Sequence, residues 1–367
     1  MPSCDNSAWG KNLCLSVYGG SHDPEIGMRL TGFPKGVFID TEELQAFMAR
    51  RAPGQSKLTT SRKEPDIPVF LSGLDANGAT TGETIHAVIY NTNQRSGDYA
   101  AFADIPRPSH ADFCARMKYG SDVDLRGGGH WSARLTAPLC IVGFLCRTWL
   151  WQKGIRIGAH IASIAGLPDT PFDGAALDEE TLLCAGGKSF PVLNDDLGDV
   201  MKNAIEKARA DLDSVGGIVE CGVLGLPIGL GEHMFDGAEG RIASLVYSIP
   251  AVKGVEFGDG FGVAESRGSR NNDAFVTDGV TVKTKTNHCG GILGGMTNGM
   301  PLVFRCAFKP TPSIAKEQDS VNLTTMENVK LTIGGRHDPC VVQRAVPVVE
   351  AAAAIAVMDM MLDSEDR

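Results

Sequence analysis

The chain has 367 residues, of which 43% are hydrophobic and 21% charged, a composition typical of a globular protein with a sizeable core. Its 34 basic and 44 acidic residues give a formal net charge of −10. This balance argues against nucleic acid or an anionic membrane as a partner, because both require a dominant basic face.

The N-terminus and the cysteines favour a cytoplasmic location. Residues 1–6 have neither the basic nor the apolar region of a signal peptide. The ten cysteines include no C-x-x-C pair, so we expect reduced thiols rather than disulfides or a zinc site. We therefore expect a cytoplasmic protein that does not span a membrane.

Helices are predicted from apolar periodicity and capping residues. Asp40 can cap the first helix, with Glu43 as its capping-box partner. The second is very apolar but contains Arg147, which favours a core helix over a membrane span. Leu212 belongs to the apolar stripe of the third, and Asp236 can cap the fourth. The predicted helices cover 41–51, 135–151, 195–213, a segment after Asp236 that extends to Ile249, and 348–362.

Strands are predicted where β-branched or alternating runs occur between these helices. They cover 83–91, 155–165, 217–226, 274–286 and 301–308. Helices and strands alternate without a regular βαβ order, which favours an α+β fold with antiparallel or mixed sheets. We find no repeat or linker, and we expect one large domain over 1–367.

Four loops combine titratable residues with glycine or arginine. They are Gly19-Gly20-Ser21-His22, Arg107-Pro108-Ser109-His110-Ala111-Asp112, Arg126 to Arg134 and Gly334 to Cys340. Imidazoles, guanidiniums and a carboxylate on loops are typical of acid–base chemistry on an anionic substrate. Taken singly, each loop is more simply explained by side chains that satisfy backbone groups, but the four together favour a site. No G-x-G-x-x-G follows a strand and no P-loop motif occurs.

Several arginines stand beside glycine, proline or histidine, where a planar guanidinium can hold a phosphate or carboxylate. These are Arg51, Arg107, Arg134 and Arg336. The segment Lys309-Pro310-Thr311-Pro312-Ser313 follows a predicted strand. It could grip a phosphate or simply end the strand.

Long segments of the chain resemble chorismate synthase, from about residue 11 to the C-terminus. The matching segments are Gly20 to His22, Arg50 to Thr60, Asn93 to Tyr99, Arg107 to Asp112, Gly127 to Arg134, Asn287 to Gly295, Lys309 to Ser313 and Gly335 to Cys340. The resemblance implies a sandwich of sheets around a helical core and a homotetramer. It also implies a 1,4-elimination of phosphate and a C6 hydrogen from 5-enolpyruvylshikimate 3-phosphate, giving chorismate, with reduced FMN required although no net redox change occurs.

The resemblance also implies roles for individual residues. His22 would be the acid at the departing phosphate, and His110 would protonate or polarise the flavin. Asp338 would help remove the flavin N5 proton, with Ser21 and Ser132 in the relay. Arg51, Lys57, Arg107 and Arg134 would bind the substrate. The residues implied in flavin binding are His130, Trp131, Ser132, Pro250, Ala251, Gly294, Lys309, Pro310, Thr311, Pro312, Ser313 and Arg336. The sequence leaves open whether NADPH or an external flavin reductase supplies the electrons.

The chain departs from the usual family pattern at several positions. Asp23 replaces a glycine after the Ser-His pair, and Leu135 replaces a glutamate. Lys57 stands where many members have arginine. His130 and Trp131 replace Arg-Ser, and the indole could stack on the flavin or fill core behind the glycines.

Two other function classes remain at this level. One is a flavin- or phosphate-binding protein that kept the fold without the chemistry. The other is a metal-dependent lyase or hydrolase that uses His110, Asp112 and His130, although their spacing matches no helix-borne ligand set.

Overall fold

The computed structural model describes residues 8–54, 58–59, 64–91, 104–334 and 338–365. The strands are Ala8–Trp9 (β1), Cys14–Gly19 (β2), Glu25–Thr31 (β3), Val69–Ser72 (β4), Ile85–Tyr90 (β5), Arg156–Ile164 (β6), Leu167–Pro168 (β7), Gly217–Leu224 (β8), Val252–Phe257 (β9), Phe275–Thr277 (β10), Val282–Thr284 (β11), Ile292–Leu293 (β12), Met296–Thr297 (β13), Leu302–Phe308 (β14), Gln318–Asn322 (β15) and Glu327–Leu331 (β16). The helices are Thr41–Arg51 (α1), Asp112–Tyr119 (α2), Thr136–Gln152 (α3), Glu179–Leu183 (α4), Asp195–Ala210 (α5), Ala238–Val246 (α6), Gly268–Asn271 (α7) and Val342–Glu365 (α8).

Two five-stranded sheets enclose a pair of apolar helices. The first sheet has the order β1-β2-β3-β5-β4, and the second has β7-β6-β8-β14-β9. Neighbouring strands in both sheets pair antiparallel. Helix α3 packs on α8 and on the first sheet, and α8 packs on β6 and β8 of the second. The fold class is therefore confirmed as α+β, with antiparallel sheets around a helical core.

The two central helices are buried because they are apolar on nearly all sides. At their crossing, an ideal Cβ on Gly143 would lie 2.1 Å from the Cβ of Ala351, so only glycine allows this close approach. Two helical stretches, Ala133–Gln152 and Val342–Ser364, are long and apolar enough to cross a membrane. In the structure 78% and 94% of their most apolar windows are buried within the protein, as expected of core helices.

Most predicted elements are present, with corrections at their ends. Asp40 caps α1 by accepting from the backbone amides of Glu42 and Glu43. The third predicted helix ends at Ala210, because Leu212 takes a left-handed conformation (φ 58°) and is 56% exposed rather than part of the apolar stripe. The C-terminal helix begins at Val342, six residues earlier than predicted.

Two further predictions were wrong. Asp236 does not cap α6; it ends a short 3-10 turn and lies 3.6 Å from Lys11 Nζ, while Gly237 occupies the cap position. The run 274–286 is not one strand but an antiparallel hairpin of β10 and β11. The first sheet contains β1 to β5. The sequence analysis predicted β5 and missed β1 to β4.

Candidate active site

A cavity of about 610 Å³ lies where loops from both sheets meet the first turn of α8. The size is typical of a small-molecule site. The predicted site residues that line it are Ser21, Arg51, Arg107, His110, His130, Trp131, Ser132, Arg134, Pro250, Ala251, Lys309, Thr311, Pro312, Ser313 and Asp338. His22, Pro310 and Gly294 are not in its wall. Lys57 and Arg336 fall outside the described residues.

The cavity wall is strongly cationic although the chain as a whole is acidic. Among the described residues it contains six lysines and arginines, namely Arg51, Arg107, Arg134, Lys253, Lys309 and Arg344. The carboxylates in the same wall are Glu64 and Asp338. Such a wall favours a ligand with several negative charges, because guanidiniums bind phosphates and carboxylates by paired hydrogen bonds.

The triple glycine brings the proposed acid–base residues together. Gly127 and Gly128 have φ angles of 58° and 97°. An ideal Cβ on Gly127 would lie 2.4 Å from Cε1 of His22, and one on Gly128 would lie 3.2 Å from Nε2 of His110. Side chains at either position would therefore displace a histidine, and only glycine suits both the backbone and the available space.

His110 belongs to a hydrogen-bonded group at the start of α2. Its Nδ1 lies 2.7 Å from Oδ1 of Asp112, and because a carboxylate only accepts, Nδ1 carries the proton. Arg107 binds the same carboxylate through Nε and one Nη, both at 2.7 Å. Burial disfavours the charged carboxyl, but the hydrogen bonds from Arg107 and His110 outweigh it and hold the pKa of Asp112 far below its usual range. The imidazole is thus fixed with Nε2 on the glycine side.

Arg51 and Arg134 share one buried carboxylate. Asp66 is 1% exposed, and its two oxygens each form an ion pair with one of these arginines. Burial opposes ionisation of Asp66, yet the two guanidiniums outweigh it and keep the pKa of this carboxyl below its ordinary value. Arg51 Nε also donates to Oγ1 of Thr136 at 3.1 Å. Both guanidiniums are therefore held at set positions in the cavity wall.

Some polar atoms of cavity-lining residues are buried and form neither a hydrogen bond nor an ion pair with any described residue. They are Oγ of Ser21, one Nη of Arg134 and Oγ1 of Thr311. Buried polar atoms in proteins are nearly always hydrogen-bonded, so a bound ligand would complete the partners of these three.

The remaining predicted residues connect the loops around the cavity. His130 Nδ1 donates to the carbonyl of Gly19 at 2.6 Å, and the Trp131 ring lies against Tyr119 with centroids 5.8 Å apart. Ser132 Oγ accepts from the Arg134 amide at 3.2 Å and so caps the turn before α3. Lys309 Nζ donates to the carbonyl of Ser109 at 2.6 Å; burial, helped by Lys253, lowers the pKa of Lys309.

The sequence analysis missed four charged residues of this region: Glu64, Asp66, Lys253 and Arg344. Glu64 and Asp66 flank Pro65, and Arg344 interrupts the apolar run that becomes α8. A cation within this mostly apolar run was a signal that could have identified Arg344. Nothing comparable marked Lys253.

Comparison with known proteins gives one consistent result. The family model described as chorismate synthase matches residues 13–362. A chorismate synthase of Lancefieldella parvula is 44% identical over 97% of this chain and 96% of its own length. One of Korarchaeum cryptofilum is 42% identical over 97% of both chains. A structure titled "Crystal Structure of Chorismate Synthase" superposes with a TM-score of 0.75 at 28% identity, covering 97% of this chain and 93% of that one.

The chain belongs to the chorismate synthase family. Chorismate synthases are carbon–oxygen lyases, and the chain therefore catalyses the last step of the shikimate pathway, which forms chorismate from 5-enolpyruvylshikimate 3-phosphate. The resemblance seen in the motifs is confirmed, and the alternative of a binding protein without chemistry is not supported. Among the described residues, no group of three His, Cys, Asp or Glu side chains is arranged to hold a metal ion.

Of two departures from the usual chorismate synthase pattern, Leu135 has a structural explanation in its packing, whereas the hydrogen bonds at Asp23 involve only its backbone. Leu135 replaces a glutamate and packs against the main hydrophobic core from the turn before α3. The backbone of Asp23 is held in its turn, since its amide donates to the Gly20 carbonyl at 3.2 Å and its carbonyl accepts from Asn91 at 2.7 Å.

Proposed function

We propose that the cavity binds 5-enolpyruvylshikimate 3-phosphate together with reduced FMN, and that described residues of its wall, with His22 next to the wall residue Gly127, carry out the elimination. The observation that carries this proposal is one glycine turn in contact with both His22 and His110, at the edge of a cavity with six cationic side chains. A substrate with one phosphate and two carboxylates requires such a wall in an otherwise acidic protein.

The wall also has the mixture of surfaces that suits a flavin. Ile249, Pro250, Ala251 and Val252 supply an apolar stretch on one side. The hydroxyl oxygen of Thr311 is buried and forms no hydrogen bond with any described residue. Lys309 adds a cation to the same part of the wall. When bound, reduced FMN supplies electron density that no protein side chain offers. We propose that these residues, with Trp131, hold the cofactor.

The substrate anions would be held by Arg51 and Arg134, whose positions Asp66 sets. Lys57, outside the described residues, remains a proposed substrate ligand. Arg107 differs from the sequence-based expectation, because Asp112 already occupies its Nε and one Nη. We propose that Arg107 acts mainly by orienting Asp112 and His110 and adds its charge to the wall.

The proton-moving residues follow from their positions. His110 presents Nε2 on the side of Gly128 while Asp112 holds Nδ1, so Nε2 would deliver or hold a proton at the cofactor. His22 is buried behind Gly127 and would protonate the departing phosphate. Asp338 lines the same cavity and would accept a proton there, with the hydroxyls of Ser21 and Ser132, which also line it, in the relay.

Dependence on reduced FMN provides the direct test. Purified protein would be assayed anaerobically for chorismate with FMN and dithionite, with EDTA present throughout. We expect turnover with reduced FMN and none with oxidised FMN alone. Full turnover with oxidised FMN and no reductant would refute the cofactor assignment, and loss of activity on adding EDTA would favour the metal-dependent alternative.

Three further expectations concern the domain organisation, the location and the oligomeric state of the protein. We propose a single domain over 1–367, a cytoplasmic location and a homotetramer. Support for association comes from residues 259–289, where Phe261, Phe275 and Val280 are 85%, 68% and 92% exposed. Such apolar exposure within one segment favours contact with another subunit. Light scattering on the purified protein measures the oligomer.

The source of electrons needs a separate measurement. NADPH used by this chain and an external flavin reductase predict different results in air. Aerobic turnover with NADPH and FMN alone, compared with the anaerobic dithionite rate, distinguishes them. Activity in the first assay assigns the reduction to this chain, and its absence assigns it to a second protein.

A further inference from the structure

We infer that Arg344 is a positioning residue that orients Asp338, an inference that rests on the proposed role of Asp338 in proton transfer. Arg344 lies in the first turn of α8, and its side chain lines the same cavity. Its Nη1 donates to Oδ2 of Asp338 at 2.6 Å, with both side chains largely buried. A short, charge-assisted contact of this kind fixes the carboxylate in one orientation.

The other end of the guanidinium connects Asp338 to the substrate-binding wall. Nε of Arg344 donates to the backbone carbonyl of Arg51 at 3.0 Å, at the last residue of α1. One side chain therefore spans residues 51 and 338, which no backbone hydrogen bond described here connects. The distance between the proposed anion anchor and the proposed base is set through this guanidinium.

The guanidinium of Arg344 is charged and buried, which costs free energy and distinguishes it from an ordinary surface arginine. Burial lowers the pKa of Arg344 below its usual value, and the carboxylate of Asp338 partly restores it. An arginine that only supported α8 could point to solvent, as the aliphatic part of its side chain would still pack. Here the charge points into the wall and uses a planar fork that lysine lacks.

A positioning role predicts a specific kinetic pattern. Arg344→Gln should lower kcat on the order of 10²-fold, the cost of a reacting group displaced by about 1 Å. KM for the substrate should change much less, because Arg51 and Arg134 keep their own partner in Asp66. Arg344→Lys should recover part of kcat, and added guanidinium ion should raise the rate of Arg344→Ala.

Arg50 offers a matched control. It also forms an arginine–carboxylate pair with α8, through Glu350 at 2.6 and 2.7 Å, but it does not line the cavity. Arg50→Gln should lower thermal stability while kcat stays near wild type. Guanidinium should not change the rate of Arg50→Ala.

The outcomes separate this inference from the proposed function. If wild type requires reduced FMN but Arg344→Gln loses no more kcat than Arg50→Gln, the positioning role is wrong and the function stands. If KM rises as much as kcat falls, Arg344 binds substrate and the inference is again wrong. If Arg344→Gln fails to fold, the inference is tested by Arg344→Lys and by guanidinium rescue of Arg344→Ala. Absence of rescue in normally folded variants would overturn the positioning role.

Discussion

Two histidines of this protein, His110 and His160, both contact carboxylates but in different surroundings. His110 lies on a loop at the cavity, with Asp112 at Nδ1 and a side chain that is 15% exposed. His160 lies on β6 in the second sheet and is fully buried. Its Nδ1 is 3.1 Å from Asp169, and its Nε2 is 3.0 Å from Glu220.

The difference is in the second ring nitrogen. At His160 both nitrogens face carboxylates, an arrangement that favours the imidazolium, in which both nitrogens donate. Burial lowers the pKa of His160, but the hydrogen bonds that the ring donates to Asp169 and Glu220 outweigh burial and raise this pKa above the usual value. At His110 one nitrogen is held and the other lies beside Gly128. A histidine beside a carboxylate thus becomes structural when both nitrogens are engaged, and it can transfer protons when one is left for the ligand.

The largest effect is expected at Asp338, one of the two carboxylates among the described residues of the cavity wall. Asp338→Asn should keep flavin binding and abolish turnover, because the amide cannot accept the proton. Flavin titration and anaerobic turnover measure the two properties separately. Asp213→Asn is a suitable control, because Asp213 forms an ion pair with Lys316 at 2.8 Å and neither residue lines the cavity. Near-normal activity in Asp338→Asn would show that Asp338 only braces its loop.

The two histidines at the glycine turn come next. His22→Ala and His110→Ala should each lose about 10²–10⁴-fold in rate, the usual contribution of a positioned acid or base. Substrate binding should weaken less, because arginines carry most of it. His233→Ala, at a side chain that is 78% exposed, serves as the control. A variant that retains more than about a third of wild-type kcat would remove that histidine from the mechanism.

Asp112→Asn tests whether the carboxylate orients His110. We expect kcat to fall on the order of 10²-fold at most, since the ring stays in place but its tautomer is no longer fixed. Arg107 would lose its charged partner at the same time, so thermal unfolding should be measured alongside. An unchanged kcat in a folded variant would show that Asp112 does not orient His110 for catalysis.

A smaller effect is expected at Trp131. Trp131→Ser should weaken FMN binding by about 2-fold to 10-fold, which corresponds to a ring contact of about 0.5–1.5 kcal/mol. Tryptophan emission during flavin titration measures it. His130→Arg is the companion variant, because His130 Nδ1 donates to Gly19 and links this turn to β2. Equal FMN affinity in wild type and Trp131→Ser would leave Trp131 a purely packing role.

The smallest effect on turnover is expected at His160, where stability changes instead. A raised pKa in the folded state means that the stabilisation is complete below the unfolded value of 6.5 and is lost as pH rises through the folded value. The charged groups around it are Asp169, Glu220 and, through Glu220, Arg305. Urea unfolding across this range should show the loss in wild type and not in His160→Gln. A pH-independent difference between the two would refute the imidazolium.

Local sequence patterns predicted much of the structure. Helices α1, α3 and α5 and strands β5, β6, β8 and β14 follow from apolar periodicity and caps, because these signals act over a few residues. The segment of β10 and β11 was predicted as one strand, whereas it is a hairpin whose apolar side chains Phe275, Val276 and Val282 are exposed. The first sheet was mostly missed because its strands gain stability by pairing with one another.

The sequence by itself determined the family and identified the four loops that combine titratable residues with glycine or arginine. Only the tertiary structure decided which residues of those loops contact one another and the rest of the cavity wall. Arg344 meets Arg51 across a separation of 293 residues, and Arg134 meets Asp66 across 68. Such contacts leave no local pattern, because the partners become neighbours only when the two sheets close on α3 and α8.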